Sequence, residues 1–415
     1  MRLLISRRIL VGLSAFFLLG FPPRAHSYSV LTHETIIDTL WLDPIRPILL
    51  ARFPNATEDQ LREAHGYAYG GCVIQDLGYY PLGSRYFSDL VHYVRSAEFV
   101  AALLDESANL NEYAFAMGAL AHYGADVEGH SIAVNRAVPL LYPKLRRKFG
   151  DEVTYADNPS AHLQTEFGFD VLQVARNHYA PNAYHDFIGF QVSKDLLDRA
   201  FQKTYGLTLK DLFHTLDLAL GTYRFSVRSV LPTMTKAAWS IKSKEIMKDQ
   251  PTISRKEFLY NLQRTSYEKE WGTGYERPGL GVRILALFFR LIPKVGPFRG
   301  IGFKVPTPPT EKMFEDSFDA SIKYNQRSFA QVKAGTLKMP NRDLDTGQRV
   351  SPGEYLLTDR TYDKLLVKLS EKKFAGVTPA IREDILRFYA QMKTPDQHGI
   401  EPELAALRAF TPLRN

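Results

Sequence analysis

The chain has 415 residues, with 52 Lys and Arg against 45 Asp and Glu for a formal net charge of +7, and a single cysteine, Cys72. One cysteine excludes an intramolecular disulfide, so stability has to come from the core and from bound metal. Four of the arginines lie in the first 27 residues; the remaining 48 basic residues against 45 acidic ones leave +3, which makes no strong electrostatic case for nucleic acid.

Residues 1–27 read as a secretory signal. Arg2, Arg7 and Arg8 precede the apolar run Ile9-Leu-Val-Gly-Leu-Ser-Ala-Phe-Phe-Leu-Leu-Gly20, and Ala25-His26-Ser27 is a small-x-small cleavage site. The run is shorter than the roughly 20 residues of a bilayer span, and no cysteine near the cleavage point suggests a lipoprotein. The expected product is a secreted or periplasmic protein beginning at Tyr28; an uncleaved anchor is the alternative.

Helical patterns dominate the rest. Ala97-Glu-Phe-Val-Ala-Ala-Leu-Leu-Asp105 is amphipathic, and Asn111 to His122 forms another helical run. Asn158-Pro-Ser reads as the cap and first turn of a helix through Val174. Further helices are predicted near 193–204, 209–235, 255–265, 312–334, 361–372 and 378–392. Alternating strand patterns are scarce, and there is no internal repeat. The Pro/Gly-rich stretch Gly272–Pro309 is the best boundary candidate, and the arrangement expected is a catalytic domain over 28–240 and a mainly helical C-terminal extension over 241–415.

Eight side chains of metal-ligating type carry the strongest signal: His33, Asp76, His92, His122, Asp126, His130, His162 and Glu166. A step of four residues on an α-helix turns about 40° past a full circle, so i and i+4 share a face. His122 with Asp126, and His162 with Glu166, can therefore each grip one ion from adjacent turns. Imidazole and carboxylate together suit zinc. Two or three such ions can clamp a phosphoester and lower the pKa of bound water towards about 7, which makes a metal-held hydroxide the nucleophile. No other constellation competes: Gly272-Thr-Gly274 is not a phosphate loop, and no Gly-x-Ser-x-Gly elbow is present.

Other candidates carry weaker signals. His65, His178, His185, His214 and His398 lack paired spacing and read as structural or surface residues. Asp89 reads as a helix or loop carboxylate. Glu34 and Glu128 are either partners of the ligands or solvent-exposed. Cys72 reads as a small buried hydrophobe, with a metal contact as the alternative. Tyr79, Tyr80, Tyr86, Phe87 and Tyr93 could line a cleft or simply pack the core. The segment 283–303, apolar with basic punctuation, is either an interfacial element that docks on anionic lipid or a buried hairpin.

In order and spacing, His33, Asp76, His92, His122-x-x-x-Asp126, His130 and His162-x-x-x-Glu166 resemble the superfamily of zinc-dependent phospholipases C and single-strand zinc nucleases. The resemblance covers Tyr28 to Val174 and extends towards residue 240. It implies an all-α fold around a cleft with up to three zinc ions. One ion would be held by Asp76, His92, His122 and Asp126. Asp126 would bridge to a second, completed by His33 and by the amino nitrogen and carbonyl oxygen of Tyr28. A third would rest on His130, His162 and Glu166. Asp76 would be a ligand or the catalytic general base.

The chain departs from the pattern in three places. Tyrosine stands at the mature start where tryptophan is usual. The gap from Asp126 to His130 is four residues where many members have six, which resembles the glycosylphosphatidylinositol-phospholipase D branch. Glu166 leans towards the phospholipases, since the nucleases usually carry aspartate there. The function expected is an exported zinc-dependent phosphodiester hydrolase of phospholipase C type, releasing diacylglycerol and a phosphorylated headgroup. The rivals are a single-strand nuclease or nucleotidase using the same metals, and a zinc-stabilised binding protein without turnover.

Overall fold

The computed structural model describes residues 30–176, 190–226, 304–392 and 399–412. The secretory signal with Tyr28, the helix expected over 255–265, the segment 283–303 and most of the boundary stretch after Gly272 lie outside the described residues.

Several helices begin where short polar side chains take up unpaired amides. After α1 (Val30–Leu40) and α2 (Arg46–Arg52), α3 (Glu58–Ile74) opens on a reciprocal cap. Thr57 Oγ1 accepts from the Gln60 amide at 3.3 Å, and Gln60 Oε1 accepts from the Thr57 amide at 2.9 Å. Glu58 and Asp59 occupy the first turn, where the helix dipole favours negative charge. Then come α4 (Arg85–Tyr93), capped by Ser84, and α5 (Ser96–Glu106).

The centre of the molecule is α6 (Leu110–Gly129), which starts on Asn109, whose Oδ1 accepts from the Glu112 amide at 3.0 Å. Its residues from Glu112 to Val127 are all buried. A helix buried on every face must be enclosed by others, and α1, α3 and α5 pack around it. The α3–α6 contact is backbone on backbone. A Cβ at Gly71 would meet the Phe115 carbonyl oxygen at 1.8 Å, and one at Gly118 would meet that of Ala68 at 2.0 Å. Only glycine permits that approach.

A wide turn, His130–Val134, joins α6 to α7 (Asn135–Leu141), followed by α8 (Pro143–Phe149). The next helix, α9 (Pro159–Arg176), opens as the sequence predicts, with Asn158 Oδ1 accepting from the Ala161 amide at 2.9 Å. After α10 (Lys194–Tyr205), the single helix expected from residue 209 is instead a short turn, Leu209–Asp211, and a separate α11 (Leu216–Phe225). Asp211 Oδ2 accepts from both the Thr208 amide and its hydroxyl, at 2.8 and 2.9 Å, and this local closure competes with helix continuation.

The later part of the chain returns to the centre. The long α12 (Pro308–Ala334) lies along α6, where Asn325 Nδ2 donates to the Ala121 carbonyl at 3.1 Å. It is followed by α13 (Leu356–Glu371), α14 (Pro379–Ala390) and α15 (Glu401–Ala409). Ile36, Leu120, Phe201, Phe329, Leu365 and Leu407 belong to one apolar cluster, so both ends of the described chain share a core. Among the described residues there is no strand, only an isolated bridge between Arg342 and Arg349. The fold is all-α, as expected. No described helix is long and apolar enough to cross a membrane.

Candidate metal centre

Four helices and two turns bring the eight sequence-predicted side chains together. His33 projects from α1, Asp76 from the tight turn Gln75–Tyr79 after α3, and His92 from the last turn of α4. His122 and Asp126 share a face of α6, His130 opens the turn that follows, and His162 and Glu166 share a face of α9. None of the eight is more than 2 % exposed. They form three groups able to hold an ion: His33, His122 and Asp126; Asp76, His92 and His122; and His130, His162 and Glu166. Tyr28 lies outside the described residues.

Asp126 is the hinge between the first two groups. Its Oδ1 is 3.3 Å from His33 Nε2, while Oδ2 is 3.3 Å from His92 Nε2 and 3.1 Å from His122 Nε2. Asp76 Oδ1 stands 3.4 Å from His92 Nε2. The His33 and His122 rings stack with centroids 4.3 Å apart. In the remaining group, Glu166 Oε1 is 3.3 Å from His130 Nε2 and 2.9 Å from His162 Nε2. Zinc bonds of about 2.0–2.2 Å arranged tetrahedrally separate neighbouring donors by roughly 3.4 Å, and these spacings match.

Backbone carbonyls fix which imidazole nitrogen faces the centre. His92 Nδ1 lies 2.8 Å from the Ser88 carbonyl, His122 Nδ1 2.9 Å from that of Cys72, and His130 Nδ1 2.8 Å from that of Leu344. A carbonyl can only accept, so each Nδ1 carries the proton and each Nε2 presents its lone pair inward.

The electrostatics favour a cation. Both oxygens of Asp126, both of Glu166 and the Nε2 of His162 are buried and have no hydrogen-bond partner among the described residues. Buried acceptors without donors are costly unless a metal takes them. Burial works against ionisation of Asp126, yet His122, His130 and His33 hold its carboxyl well below the usual range. Against burial, Asp126 and Asp76 raise His92 to about 10, and Asp126, Glu166 and Asp345 raise His130 to about 10. Excess negative potential that holds protons so tightly will hold a divalent ion in their place. The donor set fits zinc.

The secondary candidates fall elsewhere. His65 stacks on Trp41 at 3.9 Å and pairs with Asp38 at 3.1 Å, away from the three groups. Asp89 faces Arg85 one turn back at 3.7 Å, and His214 is exposed. Glu34 is buried, and burial with Asp38 and Asp170 raises its carboxyl well above normal; Glu128 is half-buried beside Tyr324. Burial also pushes the Cys72 thiol up, and Sγ donates to the Tyr69 carbonyl, so Cys72 serves the site through its backbone. Tyr79 and Tyr93 lie beside His92, at 5.8 and 5.9 Å between centroids, whereas Tyr80 stacks on Tyr223 and Phe87 packs against Phe201 and Phe213. His178, His185 and His398 lie outside the described residues.

Sequence reasoning missed Tyr155, set edge-on to His162 at 5.7 Å, and the segment around Leu344, Asp345 and Tyr355. Nothing in their spacing ties them to His130.

The family model for zinc dependent phospholipase C matches residues 32–215, a span that contains all eight side chains. No curated protein and no solved structure matches the chain.

Proposed function

Residues 32–215 match the family model for zinc dependent phospholipase C, and from that premise we propose that the protein cleaves phospholipids on the glycerol side of the phosphate. Water oxygen bonds to phosphorus, the bond from phosphorus to the glycerol oxygen breaks, and that oxygen leaves protonated in diacylglycerol. The phosphorylated headgroup is the other product. The observation that carries this reading is that two adjacent groups of donors share His122 and that Asp126 of one group also faces His92 of the other, inside the family-matched span.

Zinc bound there supplies Lewis-acid polarisation of phosphate oxygens and an acidified water nucleophile. The chain's own residues supply the geometry. Asp126 divides its two oxygens between His33 on one side and His92 and His122 on the other. The carbonyls of Ser88, Cys72 and Leu344 hold three imidazoles in one tautomer. The Asp76 carboxyl is buried, and His122 and His92 lower its pKa; a lowered carboxylate is a weak base and a good ligand, so we assign Asp76 to the ligand set.

In this reading the signal over 1–27 directs export and is removed. The freed amine and the carbonyl of Tyr28 then complete the group of His33, His122 and Asp126. Residues 283–303 would contact the membrane surface. The test is diacylglycerol release from mixed-lipid liposomes by protein beginning at Tyr28, with zinc, with chelator, and with His122→Ala. Zinc-dependent release that the variant loses is the expected result. A zinc-loaded protein that releases none, but cleaves single-stranded nucleic acid or nucleotides, would overturn the lipid assignment.

A further inference from the structure

The group of His130, His162 and Glu166 offers three protein donors, which leaves a tetrahedral ion one open position. A residue far outside the family-matched span stands at its edge. Asp345 Oδ1 lies 3.6 Å from His162 Nε2 and 3.8 Å from the His130 ring at Nδ1. The first distance is within a few tenths of an ångström of the roughly 3.4 Å edge of a tetrahedral zinc shell. Asp345 is 3 % exposed, so its carboxylate is buried beside the centre and shielded from solvent.

The carboxylate is held in place from behind. The Tyr355 hydroxyl donates to Asp345 Oδ2, which leaves Oδ1 towards the imidazoles. The Asp345 carbonyl accepts from Asn135 Nδ2 at 2.7 Å, and the preceding Leu344 carbonyl takes the His130 Nδ1 proton. The Leu344 amide donates to the His92 carbonyl at 3.1 Å, tying the same segment to the neighbouring group. The turn closes on itself: Asp343 accepts from the Thr346 amide at 2.7 Å, and Gly347 takes φ +70° against the Val127 carbonyl. A rigid turn positions a ligand at no further entropic cost on binding.

We propose that Asp345 is the fourth protein ligand of the ion held by His130, His162 and Glu166. That shell is then closed, in the manner of a structural zinc site. Open positions for water and phosphate belong instead to the ions that share Asp126. The C-terminal part of the chain therefore completes the metal centre. This inference rests on the zinc-centre reading above, but its test reads metal and not turnover.

Zinc content and affinity would be measured by competition with a chromophoric chelator, and coordination by the visible spectrum of the cobalt-substituted protein. Wild type, Asp345→Ala, Asp345→Asn, Asp343→Asn and His130→Ala are compared. The isosteric Asp345→Asn keeps an acceptor for Tyr355, so it remains informative if the alanine variant fails to fold. Both Asp345 variants should weaken one ion by more than about 100-fold, beyond the 10- to 100-fold of residues that only support a ligand, and it should be the same ion that His130→Ala removes. Their cobalt spectra should change, and acetate should restore the alanine variant towards wild type. Asp343→Asn, in the same turn but bonded only within it, should leave metal affinity unchanged.

Retention of every ion by the Asp345 variants with unchanged affinity and spectrum would overturn the inference alone. Equal weakening by Asp343→Asn would also overturn it, because placement of the turn and not the carboxylate would then matter. Wild-type protein that holds no zinc would overturn the zinc-centre reading together with this one.

Discussion

Asp126 faces His33 with one carboxylate oxygen, at 3.3 Å, and turns the other away from it towards His92 and His122. One side chain thus serves two groups of donors, and His122 belongs to both. Two ions placed there would be a few ångströms apart, the spacing at which a pair can clamp both the attacking and the leaving oxygen of a phosphoester.

Because His122 is shared, its loss should disturb two groups at once. His122→Ala is expected to lower lipid hydrolysis by more than about 100-fold, beyond the 10- to 100-fold typical of residues that only support a ligand. The exposed His214→Ala should leave activity unchanged. Similar rates for both variants in the liposome assay would remove His122 from the metal centre.

Stripping metal leaves the buried carboxylate oxygens of Asp126 and Glu166 without the ion they would ligate. Chelation should therefore lower thermal stability. Free zinc at about 1,000 times its dissociation constant contributes about 4 kcal/mol, and at about 2–4 °C per kcal/mol that is a shift on the order of 10 °C. Calorimetry with and without chelator checks this; coincident transitions would mean the ions do not stabilise the fold.

The metal-free protein should respond to pH in the direction set by His92 and His130. Their folded pKa values, about 10 each, stand above the usual 6.5. The folded form binds those protons more tightly than the unfolded form, so the stabilisation is fully present below about 6.5 and is lost as pH rises through about 10. Zinc competes with the same protons, so its affinity should rise over that window. Melting temperatures of chelated protein between pH 6 and 10, alongside zinc titrations, check both slopes. A metal-free protein that grows more stable towards pH 10 would contradict the assignment.

The α3–α6 contact predicts a packing lesion that reaches the metal. A Cβ at Gly118 would meet the Ala68 carbonyl at 2.0 Å and the Cys72 amide at 2.8 Å. Gly118→Ala must push α3 away, at a cost of about 1–3 kcal/mol or more. The Cys72 carbonyl that orients His122 moves with α3. Denaturant midpoints and zinc content should fall together, and a stable variant that keeps full zinc would show the two helices are not so tightly joined.

Much of this protein is legible in its sequence because the informative contacts are local. His122 with Asp126, and His162 with Glu166, meet because a helix repeats every 3.6 residues. Asn158 caps α9 for reasons contained within four residues. The His92 ring bonding to Ser88 is a contact of the same helical kind. Periodicity and capping also make helices the dominant pattern, since they depend on backbone geometry and side-chain polarity alone, and the family resemblance implies the all-α fold.

Tertiary structure decided the rest. Sequence set His65 apart from the ligands but could not show that it stacks, half-buried, on Trp41, nor say that Tyr79 and Tyr93 lie beside the centre while Tyr80 does not. It gave no sign that Leu344 and Asp345 come back to His130 and His162, or that Asn325 lies against α6. Such contacts follow from long loops closing around a shared core, and a loop's closure leaves no periodic trace in the residues it joins. Spacing therefore records which donors share a helix, and only packing determines which distant carbonyl or carboxylate completes their shell.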